Sequence, residues 1–337
     1  MTELNRALEH HQAGRLNEAE AVYREILARE PTHPDALHLL GVIAHQSGEQ
    51  EKAVALIEQA IGVRPEVAQY YNNLGEARRA LNQFDAAIAA YRQALTLRPG
   101  YAEAHNNLGL TLQTQGKLAE AEAAYRKALA LMPEDPVVNT NLGATLAAQG
   151  KLSQAVAAFR RALALAPGHA EAHNNLGAVL RQQGNLPEAI AAFCQAVALN
   201  PKNAQVRYNL AATLQNHGEA AQAAATFQQA LALDPHLVEG HNKLGVALKD
   251  MGRIEEAITA LKRALALNPA HADVHNNLGV ALQAQGALAD AIAAYKQALA
   301  HEPDHIGALG NLADVYERTN RLDDARSIVA KGLALCA

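Results

Sequence analysis

Two pairs of histidines, His169 with His173 and His271 with His275, stand four residues apart. On one helix face that spacing can present two zinc ligands. A third ligand is needed, and no Cys, His or carboxylate cluster offers one. His105 and His241 occupy the same phase alone, so copying of one sequence unit accounts for the pattern and no metal is expected. A second set of polar residues is more regular. Asn73, Asn107, Asn141, Asn175, Asn209, Asn277 and Asn311 recur at multiples of 34 residues, with Lys243 taking the one intervening place. A primary amide carries both a donor and an acceptor, so such a row can pair with the backbone of an extended peptide without reading its side chains. No nucleophile elbow, phosphate loop or dinucleotide fingerprint occurs. No catalytic residue and no cofactor are therefore expected.

The elements that position these residues follow from the prolines. Pro31, Pro65, Pro99, Pro133, Pro167, Pro201, Pro235, Pro269 and Pro303 are each 34 residues apart. Such a period signals a repeat architecture. The segment 102–135, AEAHNNLGLTLQTQGKLAEAEAAYRKALALMPED, serves as the ruler. Leu108 and Leu112 have helical spacing and the run stops at Gly116; Ala121, Tyr125, Ala128 and Leu129 repeat the pattern up to Pro133. Glycine and proline are the expected helix stops, so each unit reads as helix A, tight turn, helix B. Pro34, Pro136 and Pro187 fall in first helical turns, where proline is tolerated.

Numbered within the unit, position 20 is Ala in all ten copies, from Ala19 to Ala325. From the second copy onward position 8 is Gly except at Ala211 and Ala313; position 15 is Gly except at Asn82 and Asn320, and Asn is the next-best residue for a left-handed turn. Position 24 is Tyr or Phe in seven copies: Tyr23, Tyr91, Tyr125, Phe159, Phe193, Phe227 and Tyr295. Small residues at positions 8, 20 and 27 allow close helix approach, and the position-24 side chain is expected to fill the space between adjacent units.

This pattern resembles the tetratricopeptide repeat family. The implied fold is all-α: a right-handed α-α superhelix (solenoid) of ten 34-residue repeats, 1–33, 34–67, 68–101, 102–135, 136–169, 170–203, 204–237, 238–271, 272–305 and 306–337, in one domain. The resemblance places positions 2, 5, 6, 9, 12 and 13 of helix A on a concave face. The Asn row at position 6 then becomes a ladder on an open surface. Leu39 stands at position 6 of repeat two, so the ladder begins at repeat three. Asp35, Glu103, Glu171, Glu239 and Asp273 at position 2 sit in first helical turns, which the helix dipole favours. Arg79, Arg181 and Lys249 at position 12 add positive charge deeper along the face.

The block AEAHNNLG at 102–109 and 170–177, with ADVHNNLG at 272–279, is similar to the repeat region of O-GlcNAc transferases and their bacterial relatives. In those enzymes the repeats recruit protein substrates for a separate glycosyltransferase domain, which this sequence does not contain. The expected function is a non-catalytic scaffold holding an extended polypeptide, or the recognition arm of such a transferase. The net charge of −5, without basic clusters, speaks against a nucleic-acid partner. No stretch is apolar enough to span a membrane, and the start MTELNRALEH lacks a signal-peptide core. A cytoplasmic location is expected. Cys194 and Cys336 lie in repeats six and ten, too far apart to pair when repeats touch only neighbours. Cys194, on a B helix away from any helix N-terminus, is expected to be inert. Polar Arg6, Glu3 and Glu9 suit an N-terminal cap, whereas Ile328, Val329 and Leu333 have no following helix to cover them, so self-association through that end is expected.

Overall fold

The computed structural model describes residues 3–335, and over these the chain forms twenty helices with no strand. It divides into two compact units, Met1–Pro167 and Gly168–Ala337. The first holds five A/B pairs: α1 (Glu3–Gln12) with α2 (Leu16–Arg29), α3 (Pro34–Gln46) with α4 (Gln50–Val63), α5 (Ala68–Ala80) with α6 (Phe84–Leu97), α7 (Ala102–Thr114) with α8 (Leu118–Leu131), and α9 (Pro136–Ala148) with α10 (Leu152–Leu165). The second holds α11 (Ala170–Gln182) with α12 (Leu186–Leu199), α13 (Ala204–Asn216) with α14 (Ala220–Leu233), α15 (Val238–Asp250) with α16 (Ile254–Leu267), α17 (Ala272–Gln285) with α18 (Leu288–His301), and α19 (Ile306–Arg318) with α20 (Leu322–Ala334).

The A-to-B turn is made at position 15. Gly116 has φ +73°, and Asn82 and Asn320 adopt φ of 59° and 57° in the same left-handed region. The backbone there needs glycine or its nearest polar substitute. The nine B helices from α2 to α18 each end two residues before the periodic proline, which cannot continue them. Pro34 and Pro136 open α3 and α9, and Asp135 caps α9 by accepting from the Val137 and Val138 amides.

Packing follows the small positions. All ten position-20 alanines are buried, from Ala19 to Ala325, and Leu74, Leu108, Leu142 and their equivalents line the A-helix side of the core. The position-24 ring packs first on its own repeat. A Cβ added to Gly109 would lie 2.8 Å from the Tyr125 ring, and one on Gly143 2.7 Å from Phe159. At these repeats the ring packs on the bare backbone of its own A helix, whereas Tyr23 and Phe227 belong to repeats with Ala7 and Ala211 at position 8. In α20, Val329 and Leu333 are exposed.

Candidate functional site

The position-6 asparagines are not free rungs. Six of the seven amides, all but that of Asn175, reach back to position 5 of the preceding repeat, 35 residues earlier. In the first unit Asn107 Nδ2 donates to Asn72 Oδ1 at 3.2 Å and to Glu76 Oε1 at 2.9 Å. Asn141 Nδ2 donates to Asn106 Oδ1 at 3.2 Å, and Asn73 Nδ2 donates to His38 Nε2 at 2.9 Å. In the second unit Asn209 donates to Asn174, Asn277 to Asn242 and Asn311 to Asn276, at 3.2, 2.9 and 2.9 Å. Asn72 in turn donates to Asn73 Oδ1. An unbroken amide relay therefore runs Asn107 to Asn72 to Asn73 to His38 across three repeats, and chained bonds of this kind polarise one another. In the second unit Asn209, Asn174 and Asn175 form a shorter relay.

These bonds overturn the open-surface expectation. Asn107 is 8% exposed and its acceptor Asn72 is fully buried; Asn73, Asn141, Asn175, Asn209, Asn277 and Asn311 are all partly buried. They also fix which atoms remain. Among the described residues no protein group donates to Oδ1 of Asn107, Asn141, Asn277 or Asn311. Each unit thus retains two neighbouring carbonyl acceptors whose own N–H groups are held by the scaffold. The position-5 partners were missed in the sequence, although the recurrent Asn-Asn doublet marks them.

The charges on this face differ repeat by repeat. The Tyr70 hydroxyl and the Arg64 guanidinium, the latter at 3.0 and 3.2 Å, hold the Asp35 carboxyl below its usual range against the opposing push of desolvation. Glu239 meets His271 at 2.6 Å and Asp273 meets His305 at 3.1 Å. Burial pushes the Glu76 carboxyl up, and the neighbouring Glu103 charge pushes the same way. Glu103 has no cationic partner among the described residues. Of the position-12 cations, Lys249 pairs with adjacent Asp250 at 2.9 Å.

The histidines are structural. His105, His241 and His275 each donate from Nε2 to the carbonyl of the proline six residues earlier: Pro99, Pro235 and Pro269. Position 4 thereby pins the inter-repeat loop. His169 Nδ1 caps α11 through the Ala172 amide, and His271 is held by Glu239. Among the described residues no three metal-ligating side chains come together. Cys194 is an exposed free thiol whose pKa is raised by partial desolvation; Cys336 lies outside the described residues. No described helix is long and apolar enough to cross a membrane. A cleft of about 730 Å³ between α6 and α8, floored by His105, Leu108 and Leu112, lies on the B-helix side and contains none of the Asn rungs.

Family models account for most of the chain. That of the cilia and flagella-associated protein 70 C-terminal domain, a tetratricopeptide model, matches residues 1–206; models described as TPR repeat and tetratricopeptide repeat match 247–286, and 180–245 with 282–335. The chain belongs to the tetratricopeptide repeat family. No curated protein matches it significantly. Among solved structures, YrrB, "a TPR protein with an unusual peptide-binding site", is 26% identical with a TM-score of 0.50, covering 56% of this chain and 96% of YrrB. Pseudomonas aeruginosa PilF is 23% identical with a TM-score of 0.55, covering 63% of this chain and 96% of PilF, a likeness of fold alone. Tetratricopeptide proteins are generally protein-interaction scaffolds.

Proposed function

We propose that this chain is a non-catalytic scaffold whose A-helix face holds an extended client polypeptide through the Asn rungs Asn73, Asn107, Asn141, Asn175, Asn209, Asn277 and Asn311. The observation that carries the reading is the orientation of the rungs. With their N–H groups tied to position 5, Asn107, Asn141, Asn277 and Asn311 present fixed carbonyl oxygens. Those oxygens suit the backbone N–H groups of a strand, which recur at any sequence. Neighbouring A helices stand roughly 10 Å apart and a strand rises about 3.3 Å per residue, so one rung serves about every third client residue. The peptide-binding site of YrrB is consistent with this use of the fold.

The test is titration of peptides selected on the wild-type chain against the double variant Asn107→Ala, Asn141→Ala, with thermal melting in parallel. Net hydrogen-bond values predict a loss of about 1–3 kcal/mol, similar for unrelated peptides. Unchanged affinity in a folded variant would place recognition elsewhere. The HNNLG blocks support a narrower second reading, the substrate-recognition arm of an O-GlcNAc-transferase-like enzyme. A glycosyltransferase sequence encoded downstream in the same gene would favour it, and its absence would leave the adaptor reading. Under either reading the expected compartment is the cytoplasm.

A further inference from the structure

Repeats two and four of the first unit solve one electrostatic problem differently. In repeat two, position 31 is Arg64, and its guanidinium reaches Asp35 at position 2 of the same repeat. In repeat four the equivalent acid is Glu103, but position 31 is Met132. Beside Glu103 lies a cleft of about 270 Å³ between α7 and α9, lined by Met132, Val137, Val138, Asn106 and the cap residue Asp135. Met132 and Val137 are each 50% exposed, in a chain that buries most of its large apolar side chains. Val137 stands at position 2, where five other repeats carry an acid. The cleft is smaller than the roughly 300–1,000 Å³ of small-molecule sites, a volume suited to one long side chain.

We propose that this cleft takes an arginine side chain of the bound client, which supplies in trans the guanidinium that Arg64 supplies in cis to repeat two. The aliphatic stem lies against Met132 and Val137, as long cationic side chains commonly lie on apolar surface. The planar head meets Glu103, with the second Asp135 oxygen beside it, since Oδ1 is engaged by the Val137 and Val138 amides. Carboxylate–guanidinium pairing is geometrically specific in a way a lysine ammonium is not. Burial is the main cause of the raised Glu76 carboxyl, and the Glu103 charge that adds to it is one such a cation would offset. Asn106 lines the cleft and also accepts the Asn141 amide, so the pocket is continuous with the rungs. The equivalent positions beside Glu171 are Asn200 and Gln205, which offer no apolar wall.

The inference rests on the peptide-binding reading above, and one experiment separates their failures. A phage library of random 12-residue peptides is selected on the wild-type chain, and labelled synthetic copies of the winners are titrated. The expected winners carry arginine at one fixed position, and replacing it with leucine weakens binding about tenfold, the size of one charge-assisted contact. Glu103→Lys should abolish that difference, whereas Glu171→Lys should leave it intact. Met132→Arg, which copies repeat two, should fill the cleft, melt no lower than wild type, and bind the arginine and leucine peptides equally. Winners that bind without a basic preference, or an arginine preference that survives Met132→Arg, would overturn this inference and leave the scaffold reading standing. A library yielding no binders would overturn both.

Discussion

Asn107 and Asn72, 35 residues apart, share a hydrogen bond of 3.2 Å that joins two consecutive repeats through their side chains. Asn72 is fully buried, so its oxygen has no recourse to water if the donor is removed. Asn107→Ala should therefore cost about 1–3 kcal/mol, the penalty for orphaning a buried polar group. Urea denaturation checks this, and a melt identical to wild type would show that the tether is not structural. The contrast is Asn175→Ala, whose Nδ2 makes no such backward bond within its unit. It should change stability by about 0.5 kcal/mol or less.

His38 closes the relay at its other end. Desolvation lowers its pKa to about 4, and its Nε2 must stay unprotonated to accept from Asn73. Asp35 opposes that shift and His11 adds to it, while the Tyr70 ring lies 4.4 Å away between centroids. A histidine whose folded pKa lies below its unfolded value of about 6.5 binds its proton more readily when unfolded. Its contribution is whole above about pH 6.5 and is lost as pH falls toward about 4. Stability should drop by about 1–2 kcal/mol between pH 7 and pH 5 on this account. His38→Asn, which installs the residue found at the same place in repeats three, four, six, eight and nine, should flatten that slope.

Much of the fold was legible because its signals are local. Pro at position 32 and Gly or Asn at position 15 act through their own φ angles, and Ala at position 20 through its own size. The turn at Asn82 is therefore readable from one residue. The rungs were legible as positions but not as bonds. The partner of Asn107 lies 35 residues upstream, and the reading that aimed position 6 at a ligand gave position 5 no role. The ring at position 24 was assigned to the space between units, and its contact within its own repeat was not foreseen. Its first neighbour, the glycine of its own A helix, emerges only once the two helices are packed. The Glu103 cleft was equally hidden, since Met132 has meaning only beside the Arg64–Asp35 pair.

That ring contact is itself testable. Gly109→Ala drives a Cβ to 2.8 Å from Tyr125, so it should destabilise by about 1–3 kcal/mol as other overpacked cores do. Adding Tyr125→Val should recover part of the loss, because repeat ten combines Val329 at position 24 with Ala313 at position 8. Thermal melts of the single and double variants decide it, and additive losses would contradict the contact.

On the B-helix side, Glu122 is buried with its charge, held below the usual carboxylate range by the Lys151 ammonium at 2.8 Å and by Arg126. A depressed carboxylate stabilises the fold above its unfolded pKa and loses that contribution as pH falls through the folded value. Lys151→Met should cost about 1–3 kcal/mol at neutral pH, with the deficit shrinking below about pH 4 as Glu122 protonates. Equal deficits at both pH values would rule out the ion pair as the cause.

The central claim is that tethered Asn oxygens receive client backbone N–H groups, and the client tests it more cleanly than the chain, whose rungs also stabilise the fold. A single peptide selected on the wild-type chain is resynthesised with one backbone nitrogen methylated at a time, and each copy is titrated. Methylation removes a donor without touching any side chain. The account predicts losses of about tenfold recurring at roughly every third residue, with small effects between them. A profile that is flat along the peptide, while side-chain substitutions still abolish binding, would contradict it.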